Sequence, residues 1–279
     1  MVIIEKGKNL NLKNKNIVIT GGSGGLGKAL ALEFLKKTPN VLISDINQKE
    51  LKKTANELCC SSQFCDVSKE LDIKNLIEVA QKNFGYIDLF CSNAGVISNL
   101  KRFNSIEQNE CWEKTWNVNL MSHVYAARYA LPNMIKRKKG YFLQIISAAA
   151  LLSQIGDSAY SVTKSAALSF AESLAISNNQ LGIRVSAVCS QYIATPLLGF
   201  NNNKINETKS LISPKTAANR IIKDVELEKF LILTDNHTLN IFRKKSEDYE
   251  KWLLGMKKLN QRIFEETGEL KINSVHKFI

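Results

Sequence analysis

The 279-residue chain has few of the residues that build metal centres and linkers, with three histidines and four prolines. Its six cysteines are Cys59, Cys60, Cys65, Cys91, Cys111 and Cys189, and no pair has C-x-x-C spacing. With so little histidine, no metal-ligand pattern forms, which excludes the common zinc and iron-sulfur frameworks. No Pro- or Ser-rich linker and no internal repeat divides the chain, so one large α/β domain fits better than two small ones. No apolar run approaches the about 20 residues that a membrane-crossing helix needs. The N-terminus has three apolar residues after Met1 and then turns polar, the pattern of neither a signal peptide nor an anchor. These absences predict a cytoplasmic protein with reduced thiols and no membrane span.

Positive charge, by contrast, is in excess. Lysine and arginine number 38 against 26 acidic residues, giving a formal net charge of +12. The basic residues are scattered, and the only short clusters are Lys136 to Lys139 and Arg243 to Lys245. Without interleaved aromatics or zinc-finger spacing, solvated surface charge explains them better than nucleic-acid binding.

Short apolar runs alternate with segments of helical period, the pattern of βαβ units around a parallel sheet. Strands are expected at Ile17–Thr20, Asn40–Ser44, Gln63–Cys65, Ile87–Ser92, Tyr141–Ser147, Arg184–Val188 and Phe230–Leu233. Helices are expected near 25–37, 48–58, 69–83, 108–138, 158–178 and 214–226, the fourth kinked or broken at Pro132. The tail from about 246 reads as one more helix, with Tyr249, Trp252, Leu253, Met256, Leu259 and Ile263 near one face. The expected fold is a Rossmann-type, doubly wound parallel sheet of about seven strands. Residues 1–240 form its dinucleotide-binding catalytic part, and 241–279 a C-terminal helical extension of the same domain.

The first strand runs directly into Thr20-Gly21-Gly22-Ser23-Gly24-Gly25-Leu26-Gly27, where a helix begins. Glycines permit a sharp turn and bring backbone N–H groups close to a phosphate, and the helix N-terminus adds partial positive charge. Gly22 to Lys28 also spells G-x-x-x-x-G-K, but Ala29 stands where a P-loop needs a hydroxyl for magnesium. A dinucleotide site needs instead an acidic residue at the end of the second strand, and Asp45 is there. Its carboxylate suits a free ribose 2′-hydroxyl and repels a 2′-phosphate, which favours NAD over NADP. The plainer reading, a turn or helix cap at Asp45, stays open.

Tyr160 and Lys164 are four residues apart in a helical segment, so phenol and ammonium share a face. A lysine charge there lowers the tyrosine pKa towards the working pH and makes the phenol an acid or base. Such a pair alone is commonplace on protein surfaces. Ser147 adds weight, because it closes the fifth strand at the carboxyl edge where open α/β sheets place ligands. Its hydroxyl can donate to an oxygen that gains negative charge.

Taken together, these motifs resemble the short-chain dehydrogenases/reductases over about residues 14 to 235. Gly21, Ser23, Gly25, Leu26 and Gly27 fall in the family's cofactor loop. Asp66-Val67 resembles its adenine-contacting pair, and Asn93-Ala94-Gly95 its N-A-G turn. Asn119, Ser147, Tyr160 and Lys164 match its catalytic residues in order and spacing. Ile193 and Thr195 lie in a segment whose threonine holds the nicotinamide carboxamide. The resemblance implies NAD-dependent interconversion of a secondary alcohol and a ketone. Tyr160 would exchange the proton, with Ser147 orienting the substrate oxygen. Lys164 would hold the nicotinamide ribose and tune Tyr160, and Asn119 would place a water of the proton relay. It also implies a homodimer or homotetramer built through the helices of 108–138 and 158–178.

The chain departs from the family at Ser190-Gln191, where Pro-Gly is usual. Gln191 either meets the substrate or carboxamide or points away. Residues 196 to 212, with Leu197, Leu198 and Phe200, take the place of a substrate lid. Together with Leu151, Leu152 and Ile155 they suggest a largely apolar substrate. Two rival readings are an NADP-dependent carbonyl or acyl-chain ketoreductase, which Asp45 opposes, and a non-catalytic NAD sensor, which the complete catalytic set opposes.

Overall fold

The computed structural model describes residues 9–98, 108–201, 205–268 and 272–279. From the N-terminus, β1 (Ile17–Thr20), α1 (Gly25–Leu35), β2 (Val41–Asp45), α2 (Gln48–Leu58), β3 (Ser61–Phe64), α3 (Glu70–Phe84) and β4 (Leu89–Ser92) alternate. Next come α4 (Asn109–Trp116), a π-helical turn (Asn117–Met121), α5 (Ser122–Lys136), β5 (Gly140–Ile145), a short α6 (Ala149–Leu152), α7 (Ser158–Asn178) and β6 (Ile183–Val188). A two-strand ladder joins β7 (Tyr192–Ile193) and β8 (Leu211–Ile212), and α8 (Pro214–Glu226) and β9 (Leu231–Ile232) follow. The chain ends in α9 (His237–Glu247), α10 (Tyr249–Thr267) and α11 (Ile272–Val275).

Seven strands form one parallel sheet in the order β3-β2-β1-β4-β5-β6-β9. Its central strands are apolar on both sides because helices cover both faces. Phe90 and Phe142 face α3, α5 and α7 on one side, where Ala126, Ala130, Ala167 and Ala171 let the helices approach closely. Ile19, Ile43 and Leu143 face α1 and α8 on the other, packed with Leu30, Phe34 and Ile221. The strand order reverses between β1 and β4, and there the carboxyl ends part to leave a crevice.

Of the kink or break expected at Pro132, the break is absent, for α5 runs through it. One rung of backbone hydrogen bonding is lost, but the buried alanine face on either side holds the helix to the sheet. The irregularity lies upstream, in the π-helical turn around Asn119. The expected single tail helix corresponds to α10, and α9 and α11 flank it. The Asp248 side chain accepts from the Lys251 N–H at 2.9 Å and so caps a fresh helix one residue after α9 ends. The expected start of the extension at 241 therefore falls inside α9. No helix among the described residues is long and apolar enough to cross a membrane.

Candidate active site

The crevice opens into a cavity of about 920 Å³ along the carboxyl edge of the sheet. One end is the glycine loop. Gly21 and Gly25 have φ of +63° and +52°, a left-handed backbone that favours glycine. A Cβ on Gly27 would lie 2.0 Å from the Gly21 carbonyl oxygen, so only glycine lets α1 start this close to the turn. Gly24 has open space around it, and α1 begins at Gly25 with its N-terminus towards the cavity. Asp45 holds the loop from the side, its Oδ2 accepting from the Ser23 N–H at 3.2 Å and its Oδ1 from the Asn47 N–H at 3.0 Å. Such a bare-backbone cradle at a helix N-terminus, with a carboxylate beside it, fits a dinucleotide.

Thr20 and Asn93 tie β1 to β4 beneath this end. The Thr20 hydroxyl accepts from the N–H groups of Asn93 (3.0 Å) and Ala94 (3.2 Å), and Asn93 Nδ2 donates to the carbonyls of Thr20 and Gly21. Asp66 accepts from the Ser68 N–H and hydroxyl, fixing the turn that presents Val67. Leu26, Gly95, Ile193 and Thr195 complete the wall.

Ser147, Tyr160 and Lys164 meet in the middle of the cavity. The Ser147 hydroxyl hydrogen-bonds the Tyr160 phenol. Lys164 Nζ donates to the Ile145 carbonyl at 3.3 Å and lies 5.6 Å from the Tyr160 ring centre. Burial pushes the lysine down to about 8. The tyrosine does not follow the expected fall. Burial pushes it up to about 12, and although the Ser147 hydrogen bond works the other way, it does not cancel the loss of solvation.

Every residue expected in the site lines the cavity except Asn119, which is wholly buried behind it. The Asn119 carboxamide bonds both backbone groups of Val96, each at 2.9 Å, and reaches the Thr163 hydroxyl at 3.3 Å. It thereby clamps the turn after Asn93, and its Oδ1 lies 3.3 Å from where a Cβ on Gly95 would stand.

Asp157 also lines the cavity, and the sequence reading passed over it. Fully buried, it caps α7 by accepting from the Tyr160 N–H and also accepts from the Ser98 N–H, both at 2.9 Å. An aspartate three residues before a helical tyrosine is an N-cap signal that could have been read.

The far end of the cavity is apolar. Leu152, Ile155, Leu197 and Leu198 line it as expected, whereas Leu151 belongs to the core and Phe200 packs 6.0 Å from the His276 ring. Gln191 also lines the cavity, and its Oε1 is buried without a hydrogen-bond partner. The rest of this wall comes from the tail, with Ile241, Trp252, Met256, Leu259, Val275 and Ile279. The tail is latched in place. The Ser210 hydroxyl donates to the His276 carbonyl at 2.8 Å, the Arg262 guanidinium to the Phe278 carbonyl, and Lys245 to the Leu151 carbonyl at 2.7 Å.

Residues 15–206 match the sequence pattern of the short chain dehydrogenase family. A Euphorbia lathyris protein named short chain aldehyde dehydrogenase 1 is 32% identical over 77% of this chain and 78% of its own length. Epidermal retinol dehydrogenase 2 of Mus musculus is 28% identical over 80% of this chain and 74% of its own. Among solved structures, a short chain dehydrogenase/reductase from Burkholderia phymatum in complex with NAD superposes with a TM-score of 0.78 at 22% identity, over 86% of this chain and 96% of that one. A 3-ketoacyl-(acyl-carrier-protein) reductase from Brucella melitensis complexed with NADH gives 0.72 at 23%, over 80% of this chain and 98% of that one. At such identities these structures establish the fold.

Proposed function

The chain belongs to the short chain dehydrogenase family of oxidoreductases, and from that premise we propose that it interconverts a secondary alcohol and a ketone with NAD as cofactor. The observation that carries this reading is the meeting of Ser147, Tyr160 and Lys164 in one cavity with the glycine cradle. When bound, the nicotinamide would supply or accept the hydride.

The residues of the chain handle the proton and the geometry. Tyr160 gives its phenolic proton to the substrate oxygen in reduction and removes it in oxidation. Ser147 donates to that oxygen as charge develops on it. Lys164 holds the nicotinamide ribose and keeps a positive charge near the phenol, and Asn119 fixes the turn that closes the relay from behind. Gly21, Ser23, Gly25, Leu26 and Gly27 would cradle the pyrophosphate, Asp66 and Val67 would flank the adenine, and Ile193 and Thr195 would hold the carboxamide.

Asp45, joined along that wall by Glu50, supports NAD rather than NADP, because carboxylates repel a 2′-phosphate. Lys28, on the first turn of α1, is paired with Glu57 at 2.6 Å and does not line the cavity. The apolar far wall supports a largely apolar substrate, and retinol, for which one relative is named, is itself an apolar alcohol. Assembly as a dimer or tetramer belongs to the same reading, supported by the exposed Trp116, Val162 and Ile176 on the helices concerned.

Fluorescence titration with NADH and with NADPH tests the cofactor assignment, with at least about tenfold tighter NADH binding expected. Oxidation of hydrophobic secondary alcohols with NAD, lost in Tyr160→Phe while NADH still binds, is the expected sequel. Preference for NADPH removes the role given to Asp45, and turnover retained in Tyr160→Phe removes the role given to the phenol.

A further inference from the structure

Behind the catalytic lysine lies a polar cluster that the proposed reaction does not use. His123, just C-terminal to the π-helical turn that carries Asn119, has no exposure to solvent, and neither has Gln144 on β5. Their side chains meet through a short hydrogen bond between His123 Nδ1 and Gln144 Oε1. A carboxamide oxygen only accepts, so the imidazole donates from Nδ1 and its Nε2 is left as a bare acceptor. Three side-chain atoms here are buried without a partner: His123 Nε2, Gln144 Nε2 and Ser92 Oγ. Ser92 and Gln144 are register partners on β4 and β5, so they point to the same face of the sheet, the face that α5 and α7 cover. Two acceptors and a donor on neighbouring elements are the surroundings in which proteins enclose a water.

Gln144 is next in the chain to Ile145, whose carbonyl accepts from Lys164 Nζ, and three residues before Ser147. Lys164 faces Tyr160 from its own helix, the Cys189 thiol from the end of β6 and His123 from α5. β5 offers it only the Ile145 carbonyl and, next to that, the neutral Gln144. Burial, helped by the Lys164 charge, pushes the imidazole down to about 3, so it is neutral wherever the enzyme works. The Ile145 carbonyl is the acceptor that favours the charged lysine, so a β5 end loosened at Gln144 would hold the ammonium less well.

We propose that His123 is a positioning residue of the hydride-transfer centre, which through Gln144 fixes the strand end carrying Ile145 and Ser147 and so keeps the Ile145 carbonyl on the Lys164 ammonium. The proposal rests on the oxidoreductase reading for its kinetic consequences but not for its structural ones.

The test compares His123→Leu with His123→Gln, whose amide can still donate to Gln144. In His123→Leu, kcat should fall roughly tenfold while NADH binding holds. The alkaline limb of the kcat profile should move to lower pH by about half a unit, and His123→Gln should restore most of both. Lysine-selective NMR reads the Lys164 titration directly and should show the same downward move without any turnover. If His123→Leu folds poorly, the double variant His123→Leu/Gln144→Leu removes both polar partners together, which spares stability, and the downward move should persist in it. A Lys164 titration unchanged in these leucine variants overturns the proposal, whatever their stability. Absence of turnover in the wild-type protein with any alcohol overturns the oxidoreductase reading instead, and the NMR comparison then still decides the role of His123.

Discussion

The two ends of the cleft are made from different parts of the chain and by different means. At the glycine-loop end, the wall is backbone and short polar side chains at the tips of β1, β2, β3 and β4, each pinned by a neighbour less than about 100 residues away. At the far end it is a patchwork of large apolar side chains from α6, the lid segment, α9, α10 and the last residues, held by a few side-chain bonds to backbone carbonyls such as Ser210 to His276 and Lys245 to Leu151. One end recognises a constant shape and tolerates little change. The other is built to be altered, because apolar side chains on surface helices can be exchanged without disturbing the sheet.

The difference can be tested most severely at Gly27. In Gly27→Ala the new methyl meets the Gly21 carbonyl, and NADH affinity should drop by at least about a hundredfold, read by fluorescence titration. Affinity within a few-fold of wild type would mean that the loop is softer than its contacts imply and that the two ends are not so unlike.

A second test addresses the seam between them. Lys164 titrates near 10.5 in the unfolded chain and at about 8 in the fold, so the unfolded state binds more protons between those values. This group therefore lowers stability below about pH 8, and its contribution improves as pH rises from about 8 to 10.5. Lys164→Met should abolish turnover yet raise stability at pH 7 by about 2 kcal/mol, measured by urea unfolding, and should lack that alkaline improvement. An unstable Lys164→Met would show that the ammonium is better satisfied than its single bond to Ile145 suggests.

The gentlest test is at the apolar end. Ending the chain after Gly268 removes Val275 and Ile279 from the wall and His276 from the latch on Ser210. The efficiency kcat/KM for bulky apolar alcohols should fall about tenfold, that for small ones should barely change, and NADH binding should be untouched. A loss of NADH binding would join the two ends into one unit.

The same contrast governs what could be read from the sequence. The strands of the sheet were legible because Ile17–Thr20 or Val41–Ser44 has no polar alternation to suggest any other state. The edge strand β3, with its polar Ser61-Ser62-Gln63, was placed two residues late because nothing apolar marks its start. That Gly27, Asp45, Ser147, Tyr160 and Lys164 share one cavity was legible because the motifs set them at fixed offsets from the strands. The wall made by α9, α10 and α11 was not, since Trp252 and Met256 have the spacing of any packed helix and only tertiary contact tells which surface they meet. The rise of the Tyr160 pKa was hidden for a similar reason. Sequence spacing gives the lysine's nearness, but the burial that outweighs it belongs to the assembled fold.

The strand order has a bearing on how the molecule comes into being. β1 is the first strand made, β2 and β3 add outward from one side of it, and β4, β5, β6 and β9 add outward from the other. No strand has to be threaded between two that are already paired, so the sheet can grow in step with synthesis from the N-terminus. The strand order thus lets the nucleotide end of the cleft take shape before the tail residues that complete the apolar wall have been made.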